Sequence, residues 1–146
     1  MSLEGLEKIG QIKPHPVDAA EISQLLAAAA RNLKDAHLQG NSTETRFDCA
    51  YKAVMQSALV ALMANGYRPS TNVPGHQMTM IQSLTITMAL EPKRMVVLDA
   101  LRRKRNLNDY LGADLDEEST QACVAEAIRL RDDVTAWLKA THPELA

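Results

Sequence analysis

The stretch FDCAYKAVMQSALVALMA, residues 47–64, decides the fold of this chain. Its apolar side chains recur at the spacing of one face of an α-helix, without interruption by Gly or Pro. Asn41 and Glu44 stand three residues apart just before it, a spacing typical of a capping box at a helix start. The sequence NGYRPSTNVPGH, residues 65–76, then ends the helix with two Gly and two Pro. Residues 65–75 are the longest internal break, and we expect them to be the most mobile segment.

The segments on either side of this stretch repeat the helical pattern. Asp18 and Glu21 form a capping box before AAEISQLLAAAARNLKDAHLQG, and Gly40 is a plausible stop. A further helix is predicted from about His76 to Leu90.

Two more helices follow. Pro92 suits the first turn of a helix that runs through KRMVVLDALRRKRN, residues 93–106. Asp114 and Glu117 repeat the capping signal, and the last helix stops near THPELA. No stretch alternates in the manner of a strand. The sequence therefore predicts an all-α protein, an up-and-down antiparallel bundle of four to five helices. Residues 1–17 are a polar lead-in, and residues 18–146 form a single domain.

Composition narrows the function. Hydrophobic residues make up 46% and aromatic residues 3% of the 146 residues, so the core must be aliphatic. The formal net charge of −2 means that nucleic-acid binding requires a local basic patch. Two separated cysteines and four scattered histidines give no metal spacing, so we expect reduced thiols, no metal and no cofactor. No run reaches the length of a membrane span, and we expect a cytoplasmic protein without membrane contact.

The stretch LRRKRNLNDYLG, residues 101–112, holds the candidate site. Leu98 and Leu101 mark the inward stripe of the fourth helix, and Arg105 projects between them, with Asp109 four residues further on nearly the same side. Three interpretations stay open: Arg105 pairs with Asp109 or another carboxylate, extends past the bundle end, or lines a cleft for an anion. Residues 102–104 are expected to form a solvated basic face. Glycine-rich phosphate loops, His-Glu-x-x-His and Gly-x-Ser-x-Gly are absent.

The motif RNLNDY resembles the signature near the end of the fourth helix in the HEPN family of small all-helical nucleotide-binding domains. The matching residues are Arg105, Asn106, Asp109 and Tyr110. LLAAAARNLKDA is similar to the first family helix, and FDCAYKAVMQSALVALMANGYRP is similar to the second helix with its loop. PGHQ, with His76, looks like the His that often precedes the third helix. The resemblance covers about residues 18–140.

The resemblance implies a bundle of four or five helices, a homodimer with the motif near its interface, and a common cleft. Active family members are metal-independent endoribonucleases, in which an imidazole moves protons and an arginine stabilises charge on the phosphate. This sequence has Tyr110 where the active pattern has His. A phenol has a reference pKa near 10, so it is a poor proton shuttle at neutral pH.

We therefore expect a non-catalytic nucleotide- or RNA-binding or regulatory module, one half of a toxin–antitoxin pair with a minimal nucleotidyltransferase. The alternatives are an endoribonuclease toxin with an altered site, in which Arg105 and Tyr110 are catalytic, and a purely structural interaction domain. The binding residues implied by the resemblance are Arg102, Arg105, Asn106, Asp109 and Tyr110.

Overall fold

A computed structural model describes residues 1–146 and contains six α-helices and one small sheet. The helices are α1 (Leu3–Lys8), α2 (Ala19–Ala36), α3 (Thr43–Ala64), α4 (His76–Thr87), α5 (Pro92–Leu111) and α6 (Glu117–Thr141). The strands are β1 (Ile12–Pro14) and β2 (Tyr67–Pro69), and a 3₁₀ turn, Pro143–Leu145, follows α6. The all-α prediction is confirmed, and the five predicted helices are α2 to α6. No helix has the length and apolar character needed to cross a membrane.

Helix α3 is the centre of the core, because it is apolar on almost every face. It packs against α2, α4, α5, α6 and β2. Its aromatic side chains, Phe47 and Tyr51, are fully buried. The aliphatic side chains of Val54, Val60 and Leu62 are fully buried as well. Residues 47–64 of α3 therefore form the centre around which the other helices pack.

The ends of the helices differ from prediction by a few residues. Asp18 caps α2 as predicted, since its carboxylate accepts hydrogen bonds from the first turn. Ser42 caps α3 in place of Asn41, and Asp116 caps α6 in place of Asp114. The Ser42 hydroxyl accepts a hydrogen bond from the N–H of Thr45, and the Asp116 carboxylate accepts one from the N–H of Ser119. An acceptor three residues before an unpaired N–H of the first turn is the geometry of an N-cap.

The motif region lies wholly inside α5. This helix continues to Leu111 and ends at Gly112, whose φ of 68° is left-handed. Helix α4 stops at Thr87, before the predicted Leu90, because Ala89 has a φ of 52° that no helix accommodates.

The first 17 residues, expected as a lead-in, form α1 and β1, and Leu6 and Ile12 join the core. Strands β1 and β2 pair antiparallel with Ile12 opposite Pro69, an arrangement that the sequence did not predict. Each strand is three residues long, too short to show alternation. The break at 65–75 is thus partly ordered by pairing, and it delivers the start of α4 to the level of Tyr51.

A buried arginine joins three helices. Arg46 is 5% exposed, and its Nε donates to the carbonyl of Ala36 at the end of α2 over 2.9 Å. Its Nη1 donates to both carboxylate oxygens of Glu117 at 2.9 and 3.0 Å. These bonds hold the pKa of Glu117 below its usual range. Arg46 therefore joins the end of α2 to the starts of α3 and α6.

Candidate functional site

A small open cleft lies between the start of α4 and the C-terminal half of α5, and we call it the His76 cleft. Its volume is about 210 Å³. It is lined by Gly75, His76, Gln77, Met78, Arg102, Asn106 and Tyr110. Three predicted binding residues line it together, whereas Arg105 and Asp109 are outside its lining.

The α5 side of the cleft follows from helical spacing. Arg102, Asn106 and Tyr110 are four residues apart, so they form one row along the helix. The Arg102 side chain is 17% exposed, and its Nε lies 2.8 Å from Asp99 Oδ1. Asp99 also pairs with Arg103 at 3.1 Å, but Arg103 is 73% exposed and is not part of the cleft lining. The predicted solvated basic face therefore holds for Arg103 and Lys104, while Arg102 is held at the cleft.

The α4 side presents a helix N-terminus. Gly75 precedes the helix with a φ of 84°, a conformation that favours glycine, and no side chain caps the helix. Thr79 N–H makes the first intrahelical bond, to the Gly75 carbonyl. The earlier N–H groups of a helix have no intrahelical acceptor and carry partial positive charge. His76 is the first residue of α4, so its imidazole and this charge lie at the same cleft.

Gln77 is fixed from behind by a buried tyrosine. Tyr51 is 1% exposed and its hydroxyl donates to Gln77 Oε1 over 2.7 Å. Burial raises the pKa of Tyr51 to about 12, and the nearby Arg105 opposes that shift only in part. The phenol therefore stays neutral and keeps its donor at neutral pH.

Arg105 is connected to the cleft indirectly, because it contacts Tyr51, which bonds Gln77. Its guanidinium carbon lies 5.0 Å from the centroid of the Tyr51 ring. Its Nε is 3.1 Å from Asp48 Oδ1, and its Nη1 is 3.7 Å from Asp109 Oδ2. Of the three interpretations of Arg105, carboxylate pairing is the one observed. The side chain is 22% exposed, and it reaches the cleft through Tyr51 and Gln77.

Tyr110 is the most accessible part of the cleft, since 82% of it is exposed. It stands at the last turn of α5, beside Leu107 and Leu111, which are also exposed. An aromatic ring in this position can stack on a base or pack against another chain.

Sequence reasoning missed the contribution of α4. Met78 carries no motif, and the positions of His76 and Gln77 depend on the path of residues 65–75, which no local pattern indicates. Elsewhere, no cluster of three or more His, Cys, Asp or Glu could hold a metal ion. Cys49 and Cys123 are free thiols, and burial raises the pKa of Cys123 to about 12.

No protein-family model, curated protein or solved structure matches this chain.

Proposed function

We propose that the chain is an HEPN-like module that binds a nucleotide or a single-stranded RNA segment in the His76 cleft, without cleaving it. The observation that carries the proposal is the meeting of two distant segments. His76 at the start of α4 lies in the same cleft as Arg102, Asn106 and Tyr110 of α5.

The groups in the cleft suit a phosphate beside a base. The first N–H groups of α4 and the free guanidinium donors of Arg102 are directed donors for phosphate oxygens. The amide of Asn106 offers both a donor and an acceptor to a sugar or base edge. The exposed ring of Tyr110 offers a stacking surface, which accepts any base.

The charges around the cleft limit the number of phosphates that it can bind. Arg102 shares Asp99 with Arg103, and the whole chain has a net charge of −2. A long basic track is absent, so the cleft suits one or two phosphates and not an extended polyanion. We expect a shallow salt dependence, with a slope of log affinity against log salt of about −1, since each phosphate contact on a single strand adds about −0.7.

Dimerisation is supported by the outer face of α5. Of the ten large hydrophobic side chains that are exposed, five belong to this helix: Val96, Val97, Leu107, Tyr110 and Leu111. A second copy packed on the four aliphatic side chains of this set would cover them and bring two His76 clefts near each other, while Tyr110 stays in the lining of its cleft. A minimal nucleotidyltransferase, as in a toxin–antitoxin pair, is the protein partner implied by the resemblance, and co-purification with the native neighbour tests it.

The endoribonuclease alternative gains one specific observation. The reaction needs an imidazole to move protons, and His76 offers one in the same cleft as Arg102 and Tyr110. In that reaction His76 would take the proton of a 2′-hydroxyl, the freed oxygen would attack the phosphorus to form a 2′,3′-cyclic phosphate, and the 5′-oxygen would leave with a proton from water. Arg102 would stabilise the charge on the phosphate.

One assay separates the two functions. Fluorescent single-stranded RNA is incubated with the protein in EDTA, and anisotropy and strand length are followed together. We expect saturable binding with intact RNA, and a Kd weaker by about five- to 150-fold for Tyr110→Ala, since stacking contributes about 1–3 kcal/mol per base.

Cleavage that persists in EDTA and disappears in His76→Ala would instead establish the endoribonuclease. Tyr110→His is the complementary variant, and gain of cleavage there would support a site that lacks only its proton shuttle. Absence of both binding and cleavage in the wild type would leave the structural interaction domain.

A further inference from the structure

A second pocket lies where the turn between α4 and α5 meets the C-terminal half of α6, and we call it the Arg94 pocket. Its volume is about 300 Å³. It is lined by Met88, Ala89, Leu90, Glu91, Arg94, Arg129, Asp133 and Trp137. Arg94 and Asn106 are twelve residues apart on α5, about 18 Å along the helix, so this pocket is separate from the His76 cleft.

Arg94 carries two buried donors without acceptors. Its side chain is 12% exposed, and its Nη1 donates to Asp133 Oδ2. Its Nε and Nη2 are shielded from solvent and have no hydrogen-bond partner. An unsatisfied buried donor costs about 1–3 kcal/mol, so such groups in a folded protein point to a missing partner.

The geometry of the unused donors selects the partner. Nε–H and an adjacent Nη–H form one edge of the guanidinium plane, with two parallel donors. That edge matches the two oxygens of a carboxylate in a bidentate pair. Protein atoms cover this edge of the guanidinium in the structure. A carboxylate therefore has to enter beside Arg94, and the guanidinium has to turn toward the pocket to pair with it.

The other lining residues define the rest of the ligand. Arg129, Asp133 and Trp137 are four residues apart on α6 and share one face. Arg129 forms no ion pair, whereas the charge of Asp133 is taken up by Arg94. Trp137, Met88 and Leu90 supply apolar walls.

The charge balance excludes polyanions. Two arginines face two carboxylates, so the empty pocket is formally neutral. Arg129 can compensate one added negative charge, but Glu91 repels a second one. Ala89 in the same wall has a left-handed φ of 52°, and strained non-glycine residues concentrate at binding sites.

We propose that the Arg94 pocket binds a small organic monocarboxylate with an apolar body. The carboxylate pairs with the free edge of Arg94 and with Arg129, and the apolar body packs on Trp137. This site is independent of nucleotide or RNA binding in the His76 cleft.

Trp137 is the single tryptophan of the chain, so all tryptophan fluorescence comes from a residue that lines this pocket. The full-length protein is titrated with 4-methylpentanoate at constant ionic strength and pH 7. We expect a saturable change in emission intensity or wavelength. 4-Methylpentan-1-ol has the same body without the charge, and inorganic phosphate has the charge without the body, so neither should give a saturable change.

Two variants test the two arginines. Arg129→Gln removes an unpaired charge without breaking a salt bridge, and Arg94→Lys keeps the charge but removes the two-donor edge. Each should weaken 4-methylpentanoate binding at least tenfold. Arg31→Gln is the matched control, since Arg31 is an arginine in a separate groove between α2 and α3, and it should bind as the wild type does.

An unsaturable response in the wild type would overturn the proposal. Equal binding of phosphate, or an unchanged Kd in Arg129→Gln, would also overturn it. Because Arg129→Gln leaves the Arg94–Asp133 pair intact, misfolding of Arg94→Lys alone does not remove the test.

Discussion

The resemblance implies that Arg105 binds the ligand, and Arg105 lies outside the lining of the His76 cleft, so its replacement is the most informative substitution. Arg105→Met keeps an unbranched aliphatic side chain at this position and removes the guanidinium, whose carbon lies over the Tyr51 ring. We expect a loss of stability with little change in ligand affinity, because Arg105 lies behind the His76 cleft and not in its lining.

The size of the loss follows from three contacts. The pairs with Asp48 and Asp109 are partly exposed, since these carboxylate side chains are 42% and 38% accessible. Such pairs contribute about 0.2–1 kcal/mol each. The cation–π contact with Tyr51 adds about 0.5–1 kcal/mol. The sum is about 1–3 kcal/mol, and at this chain length each kcal/mol corresponds to about 2–4 °C in Tm.

The measurement is urea unfolding followed by circular dichroism, with Asp48→Asn and the double variant completing a cycle. The double variant should lose less than the sum of the two single losses, by about 0.2–1 kcal/mol, because the residues are in contact. RNA anisotropy is measured on the same samples. If Arg105→Met unfolds at the wild-type urea concentration but binds RNA more than tenfold more weakly, the supporting role given to Arg105 is wrong.

Three further predictions concern stability. Burial raises the pKa of Tyr51 to about 12, so the stability that Tyr51 contributes is present below pH 10 and falls by about 2 kcal/mol by pH 12. In chemical denaturation, the free energy of unfolding of Tyr51→Phe should therefore fall less between pH 10 and pH 12 than that of the wild type. Ala89→Gly should stabilise by about 0.5 kcal/mol in the same assay, since glycine tolerates the φ of 52°, and a loss would show that the alanine is unstrained. Arg46→Ala should lower the free energy of unfolding by about 2–4 kcal/mol, because it leaves the buried Ala36 carbonyl without a partner, whereas an unchanged Tm would contradict this.

Helical periodicity and caps were enough to predict the five long helices. They worked because each amphipathic segment follows a local rule, as Asp18 at the start of α2 illustrates. The short elements α1, β1 and β2 were missed, since six or three residues carry too little pattern. Their stability comes from pairing and from burial of residues such as Leu6 and Ile12.

The candidate site also has a part that local sequence patterns predict and a part that depends on tertiary structure. The row Arg102, Asn106 and Tyr110 could be predicted, because spacing within one helix determines a common face. The inward direction of Arg105 was also predictable, but its partner Asp48 is 57 residues away and could not be identified. His76 enters the cleft only because β2 pairs with β1 and residues 65–75 return to Tyr51, which is a tertiary effect without a local signal.

The decisive measurement for the His76 cleft is RNA affinity in two neighbouring arginine variants. Arg102 and Arg103 lie on the same helix and share Asp99, but only Arg102 lines the cleft. Arg102→Gln and Arg103→Gln change the net charge equally, so non-specific electrostatic attraction weakens equally in both. Fluorescence anisotropy with a short single-stranded RNA should show at least tenfold weaker binding for Arg102→Gln and less than threefold for Arg103→Gln. Equal losses in the two variants, or no loss in Arg102→Gln, would contradict binding in the His76 cleft.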